Sequence, residues 1–476
     1  MCLRVFVANC IVQLPQKLLE SLRGVKGFDK EAFERVHQSG EQVTSIRINP
    51  LKSSNVRRVR NDSFGETSIE DLTHDSRLRI HDKIPWTENG YYLSQRPSFT
   101  FDPLFHAGCY YVQEASSMFL EQALKQTVDL SKPLKVLDLA AAPGGKSTHI
   151  QSLISKDSLL VSNEVIRSRS NILKDNIIKW GGDNVIVTSN DPREFARLEN
   201  YFDVIVVDAP CSGSGLFRRD EEAIAQWSEN NVQLCSQRQQ RILADVWPSL
   251  KKDGVLIYST CSYSEEEDEK IVEWMGEELS MANCQLSIDK SWNITGSSVG
   301  YRFWPDRVRG EGFFIACVKK LDGDDEKNMR FSKKAELLSK KEMEIVKGWI
   351  KETHHEFIKV QSSAYAIPGK LLNDVNVLCN KLYVLYFGTM IGELVRDKLV
   401  PDHALAMSSL VGDGIEKVEL SYDHSIAYLK KKELNINPGK GWRLVSYKNY
   451  PLGWINVLSN RINNYYPKEL RILKDI

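Results

Sequence analysis

Two hydrophobic rhythms divide this chain. After residue 134, short uninterrupted apolar runs alternate with longer segments whose apolar positions recur every three or four residues. The runs at 135–139, 159–162, 185–188, 203–207 and 255–258 predict strands, and the segments at 145–154, 168–180 and 237–247 predict helices between them. A strand with no polar positions is one covered on both faces, so the alternation predicts a doubly wound parallel sheet. The run at 313–318 predicts a late strand that closes the sheet antiparallel. Ser264 and Glu267 have capping-box spacing, which predicts a helix beginning immediately after Ser264.

The flanks follow other patterns. Residues 16–22 and 30–36 predict helices, 44–49 a strand ended by Pro50, 52–79 a surface loop region, and 110–124 a helix leading into the central domain. The first fourteen residues carry an apolar run after Arg4. It is read as an edge strand or a non-native upstream start, with a weak signal peptide as the alternative. The acidic stretch Asp322-Gly-Asp-Asp-Glu326 marks a boundary, residues 330–360 are expected to be helical, and a small α/β module follows. Near its end two short strands are expected around a turn at Lys448-Asn449.

Composition sharpens this outline. A chain of 476 residues holds two or three domains, and its formal net charge of zero argues against a general polyanion binder. The carboxyl end is an exception: Lys430, Lys431, Lys432, Lys440, Arg443, Lys448, Arg461, Lys468, Arg471 and Lys474 face only Glu433 and Glu469. The nine cysteines include no Cys-x-x-Cys pair and no zinc spacing. Neither a disulfide framework nor a metal is expected, and free thiols point to a reducing cytosol. No apolar run has the length of a membrane span.

The candidate chemistry sits at predicted strand ends, where open α/β sheets bind ligands. Asp138-Leu-Ala-Ala-Ala-Pro-Gly-Gly-Lys146 follows the first strand and opens a helix, and its small residues let backbone N–H groups approach a ligand. Glu164, ending the second strand, is placed for a ribose diol, and Asp191, after the third, for an adenine amine. This adenosine-shaped set suits S-adenosylmethionine as well as a dinucleotide. The alternatives are a structural tight turn and solvated carboxylates.

Two cysteines end later strands, in Asp208-Ala-Pro-Cys211-Ser-Gly-Ser-Gly215 and Ser259-Thr-Cys261-Ser262. Alone, Cys261 would read as a small core residue. With Cys211 and an acid near a methyl donor it suits methylation of pyrimidine C5, a carbon too weakly nucleophilic to react unaided. Thiolate addition at C6 makes C5 nucleophilic, and a base must then remove the C5 proton. Asp208 would hydrogen-bond the cytosine amidine edge and so select cytosine over uracil. A cap or loop carboxylate is the alternative.

These motifs, in this order, resemble the RNA cytosine-5 methyltransferases related to the NOL1/NOP2/Sun proteins. The flanks Tyr110-Tyr-Val-Gln-Glu-Ala-Ser-Ser117, Leu216-Phe-Arg-Arg-Asp-Glu-Glu-Ala223 with Trp227, Arg302-Phe-Trp-Pro-Asp306 and Gly312-Phe-Phe314 are similar to the bacterial 16S ribosomal RNA branch. So are Pro451-Leu-Gly-Trp454 and Asn464-Tyr-Tyr-Pro-Lys468. The resemblance implies a Rossmann-like class I methyltransferase core at 126–321 and an N-terminal α+β RNA-binding region at 1–125. It also implies a connecting region at 322–400 and a PUA-like RNA-binding module at 401–476. The implied catalytic set is Cys261 as nucleophile, Cys211 assisting release of the adduct, Asp208 and Lys146. The implied S-adenosylmethionine contacts are Ala140, Ala141, Ala142, Pro143, Gly144, Gly145, Lys146, Glu164, Asp191 and Asp208. RNA is the implied partner, 16S ribosomal RNA or the 30S subunit, with transfer RNA as the rival substrate and a silent ribosome-assembly factor as the rival role. Arg218 and Arg219 are read as phosphate or base contacts, or else as a solvated pair. Trp454, Tyr465 and Tyr466 are expected to be core rather than base-stacking.

Overall fold

The computed structural model describes residues 13–52, 78–323 and 333–474. The readings for the first twelve residues, for the loop over 53–77 and for the acidic break beyond Gly323 lie outside the described residues. An antiparallel sheet of β1 (Thr44–Ile48), β2 (Ile80–Lys83), β3 (Gly90–Leu93) and β4 (Tyr110–Val112), in the order β2-β3-β1-β4, forms the leading domain.

The catalytic sheet is built on five parallel strands, β5 (Lys135–Asp138), β6 (Leu159–Asn163), β7 (Val185–Thr188), β8 (Phe202–Asp208) and β9 (Leu250–Thr260). Their apolar runs are sorted by parity. Val136, Leu160, Val204, Val206, Val255 and Ile257 pack to one face with Ile150, Leu173 and Ile177. Leu137, Val161, Ile205, Val207, Leu256 and Tyr258 pack to the other with Leu243, Val246, Ile271 and Met275. Each such side chain contributes roughly 1.5–3 kcal/mol on burial, which favours unbroken apolar runs until the strands reach their polar carboxyl ends.

Four more strands follow in this part of the chain: β10 (Met281–Asn283), β11 (Thr295–Gly296), β12 (Tyr301–Phe303) and β13 (Phe313–Lys320). β13 closes the sheet antiparallel to β9, as its late apolar run predicts. The chain passes from β5 through β6 to β7 on one side, then returns to place β8 and β9 on the other side of β5. That reversal opens a crevice at the carboxyl ends of β5 and β8, where Asp138 and Asp208 stand.

The carboxyl-terminal third contains β14 (Glu336–Leu337), β15 (His355–Val360), β16 (Ser363–Pro368), β17 (Val384–Phe387), β18 (Thr389–Val395) and β19 (Lys398–Pro401). The last four strands are β20 (Lys417–Glu419), β21 (Gly441–Tyr447), β22 (Tyr450–Val457) and β23 (Ile462–Asn464). The connecting region is more than a connection: β17 joins the catalytic sheet antiparallel to β7. β21 and β22 form the expected hairpin, with Lys448 and Asn449 at φ of 51° and 64°, as a two-residue hairpin turn requires. Tyr428, Leu452 and Ile455 of this module share one core with Ile46, Tyr91 and Leu104 of the leading domain. Trp454 and Tyr466 are buried as expected, whereas Tyr465 is exposed.

Four local expectations are corrected. Residues 110–124 are not one helix: β4 is followed by a 3-10 turn at Ser116–Phe119 and a helix at Leu120–Thr127. The apolar residues that mimic helical spacing face a sheet partner first and the catalytic core afterwards. The helix predicted at 237–247 is longer, Glu229–Val246, and begins at a Ser228 cap. Among the described residues of 330–360 there is one helix, Lys340–Lys347, between β14 and β15. No helix starts at Ser264. The helix is Glu269–Glu278, and the Glu267 side chain that would have closed the capping box is turned inward. A helix start therefore does not lie directly behind Cys261.

Candidate active site

The loop after β5 is shaped by its glycines. Gly144, at φ 114°, precedes the helix Gly145–Leu153, and a Cβ at Gly145 would stand 3.5 Å from the Tyr111 ring. The loop is held from behind. Asn176 Nδ2 donates to Pro143 O at 2.8 Å and Arg169 donates to Ala142 O at 2.9 Å. Arg47 of β1, completely buried, donates to Gly145 O at 3.2 Å and to Thr148 Oγ1 at 2.6 Å. The leading domain is thereby fastened to the loop, and burial without a carboxylate partner lowers Arg47 to about 9.

Ala140, Ala141, Ala142, Pro143, Gly145, Lys146, Asp208 and Cys261 line one cleft of about 340 Å³ together with Tyr111, Glu114, Arg219, Glu311 and Phe313. Gly144 and Cys211 do not line it, and neither do Glu164 and Asp191, which follow the neighbouring strands. Glu164 accepts from Ile166 N at 2.9 Å and lies 3.6 Å from Arg169. Asp191 caps the 3-10 turn Pro192–Arg197 in a capping box with Glu194. Asn163 ties the strand ends together, donating to Leu139 O at 3.1 Å and Asn190 O at 3.0 Å.

Charged groups of both signs stand at the strand ends. Asp138 is fully buried, accepts from Ser147 Oγ at 2.6 Å, and has no hydrogen-bond partner for its Oδ1 among the described residues. Burial, reinforced by Asp208 and Glu164, raises it to about 7. Asp138 is not among the residues that line the cleft, whose carboxylates are Glu114, Asp208 and Glu311 and whose cations are Lys146 and Arg219.

On the other side of the cleft, Lys146 Nζ stands 2.7 Å from Asp208 Oδ2, and Ser259 Oγ donates to Asp208 Oδ1 at 2.8 Å. The two cysteine loops converge. Cys211 Sγ and Cys261 Sγ are 3.0 Å apart, although fifty residues separate them in sequence. The hydrogen bond to Cys261, burial and the nearby Glu267 charge push the Cys211 thiol well above the ordinary range. Both cysteines are free. Of the two arginines, Arg219 lines the cleft, while Arg218 is buried, donating to Gly310 O at 3.0 Å and facing Glu311 at 3.8 Å. The Arg218 side chain is thus enclosed rather than solvated.

Several site residues carried no sequence signal of their own. Arg169, Asn163 and Arg47 act through contacts between elements distant in the chain. Glu267 was read as a helix-start residue and instead sits under both cysteine loops. Among the described residues no group of three or more His, Cys, Asp or Glu side chains could hold a metal, and no helix is long and apolar enough to cross a membrane.

A reversed parallel sheet with a small-residue loop after its first strand, closed by an antiparallel strand, defines a Rossmann-like methyltransferase. Residues 125–319 match the family described as 16S rRNA methyltransferase RsmB/F. Residues 14–115 match the N-terminal domain of 16S rRNA methyltransferase RsmF, and residues 415–472 the methyltransferase RsmF PUA domain. The ribosomal RNA small subunit methyltransferase F of Psychromonas ingrahamii is 30% identical over 487 residues, covering 96% of this chain and 97% of its own. That of Shewanella piezotolerans is 29% identical over 452 residues, covering 90% of each. Among solved structures, a methyltransferase homologue from Pyrococcus horikoshii is similar at a TM-score of 0.50 and 26% identity, covering 65% of this chain and 100% of its own. The chain belongs to the RsmB/F family of 16S rRNA methyltransferases.

Proposed function

We propose that this protein, acting in the cytoplasm, transfers a methyl group from S-adenosylmethionine to C5 of a cytosine in 16S ribosomal RNA. Cys261 is the nucleophile and Cys211 the thiol that releases the product. The observation that carries the reading is the 3.0 Å approach of the two thiols, one of which, Cys261, lines the same cleft as residues 140–143 and the Lys146–Asp208 pair. Ala140 to Lys146 would hold the methyl donor with their backbone, Asp138 and Glu164 would meet its positive and hydroxyl groups, and Asp191 would lie at the far, adenine end. When bound, the donor supplies an electrophilic methyl on a sulfonium.

The chain's own residues supply the rest. Cys261 sulfur bonds to C6 as its proton passes to N3 of the ring, and the C5=C6 electrons become available at C5. Asp208, fixed by Lys146 and Ser259, accepts from the cytosine 4-amino group and from protonated N3. Uracil has no amine to offer there. Once C5 is methylated, the C5 proton must leave so that C5=C6 can re-form and expel the Cys261 sulfur. Cys211, held as a thiol by its bond to Cys261 and by burial, gives its proton to the departing sulfur and takes the C5 proton in exchange, and the proton on N3 is released to water as the neutral 5-methylcytosine forms. The basic carboxyl-terminal module at 401–476 and the leading region at 1–125 would hold the RNA backbone while one unstacked base enters the cleft.

The test is methyl transfer from labelled S-adenosylmethionine to 16S RNA, 30S subunits and bulk transfer RNA, followed by nucleoside mass spectrometry. Label is expected in 5-methylcytidine from a ribosomal substrate. Transfer to transfer RNA alone would overturn the substrate, and inactivity on all three would favour the assembly-factor role.

A further inference from the structure

Beneath the two thiols lies a buried carboxylate that the mechanism above does not use. Glu267 is fully buried, and four groups donate to it. Oε1 accepts from Ser212 N at 2.8 Å and from Gln239 Nε2 at 3.2 Å. Oε2 accepts from the Ser212 hydroxyl and from Ser262 Oγ at 2.7 Å. Ser212 follows Cys211 and Ser262 follows Cys261, so one carboxylate holds the residue next to each thiol. Gln239 extends the clamp, its Nε2 also donating to Pro210 O at 3.0 Å, on the other side of Cys211. Tyr258 Oη fixes the clamp's own backbone by donating to Glu267 O at 2.6 Å.

Resting on the proposed reaction, we propose that Glu267 is a positioning residue that locks the two cysteine loops in register and keeps Cys211 the protonated member of the pair. The loops come from different strands, β8 and β9, and leave the sheet independently. Besides this clamp and the contact of the two thiols themselves, the loops are joined by Gly215 N to Cys261 O at 2.8 Å, Tyr263 N to Ser214 Oγ at 2.9 Å and the Ser214 and Ser262 hydroxyls at 3.5 Å, all beyond Cys211 in the chain. Four donors require an acceptor on both oxygens, which an ionised carboxylate provides and an amide does not. Burial raises Glu267 and the four donors counter that rise; the negative charge they hold there opposes a second negative charge on Cys211. Cys261 and Tyr258 also act electrostatically on Cys211 and neither carries a positive charge; the nearest ion pair the site offers, Lys146 with Asp208, is internally compensated.

Two measurements on the full chain test this. The first follows pH-dependent alkylation of Cys211 by iodoacetamide, resolved by peptide mass spectrometry, which needs no RNA. Glu267→Gln is expected to move the Cys211 profile to lower pH and speed its alkylation at neutral pH roughly tenfold. The second is methyl transfer, expected to fall on the order of 10²-fold in Glu267→Gln, since displaced reacting groups are costly. Ser262→Ala keeps the charge but cuts one tether. It is expected to slow transfer with the Cys211 profile unchanged, and it remains informative if Glu267→Gln does not fold. A Cys211 profile in Glu267→Gln identical to wild type would overturn the inference, as would wild-type transfer in Ser262→Ala. Failure of the wild-type protein to methylate RNA would instead count against the proposed reaction, and the alkylation arm would still report on Glu267.

Discussion

Cys261→Ala is expected to lose methyl transfer by at least about 10⁴-fold and to form no covalent complex with RNA. No other described group stands ready to add to C6. Cys211 is 3.0 Å away, but the bond to Cys261, burial and Glu267 all favour its thiol form. Removing Cys261 also removes one of these constraints. The Glu267 charge remains, however, and Cys211 is tethered on both flanks through Pro210 and Ser212. Folding should survive, because Cys261 sits at the cleft and makes no contact in the two main core layers. Cofactor protection against thermal unfolding is therefore expected to persist while turnover disappears.

Cys211→Ala is expected to behave differently. Addition to C6 and methylation need only Cys261, whereas expulsion of the sulfur needs the C5 proton removed. Turnover should fall by roughly 10²–10⁴-fold, the usual scale of acid–base assistance, and a covalent RNA–protein complex should accumulate. A denaturing gel with labelled RNA reads this directly. A complex in Cys261→Ala in place of Cys211→Ala would exchange the two roles. Loss of turnover in Cys211→Ala with no complex would make Cys211 part of the addition step.

The strands of the catalytic core were legible because burial on both faces forces unbroken apolar runs, and a run such as 255–258 has few other uses. Its end at Cys261 was legible for the same reason, since a strand covered on both sides emerges at a defined place. What the linear pattern could not carry is the reach of individual side chains. Ser264 and Glu267 have the spacing of a cap, yet Glu267 is drawn inward by Ser212, fifty-five residues away in the chain. Arg218 looks like a surface cation beside Arg219, yet it closes on Gly310 and Glu311. The pairing of β17 with β7 joins residues nearly two hundred positions apart, and no local periodicity announces it. Residues 110–124 show the converse failure. Their apolar spacing is compatible with a helix, but β1 offers Tyr110, Tyr111 and Val112 a partner strand, and tertiary pairing decides the outcome.

The central claim is that Cys261 forms the bond to the base and Cys211 undoes it. The most direct measurement uses RNA containing 5-fluorocytosine. Fluorine at C5 cannot leave as a proton does, so the wild-type protein should be arrested as its covalent adduct after methylation. Digestion and tandem mass spectrometry then identify the modified peptide. The account predicts a methylated fluorinated nucleotide on Cys261 and none on Cys211; a nucleotide on Cys211, or arrest without any protein–RNA bond, would contradict it.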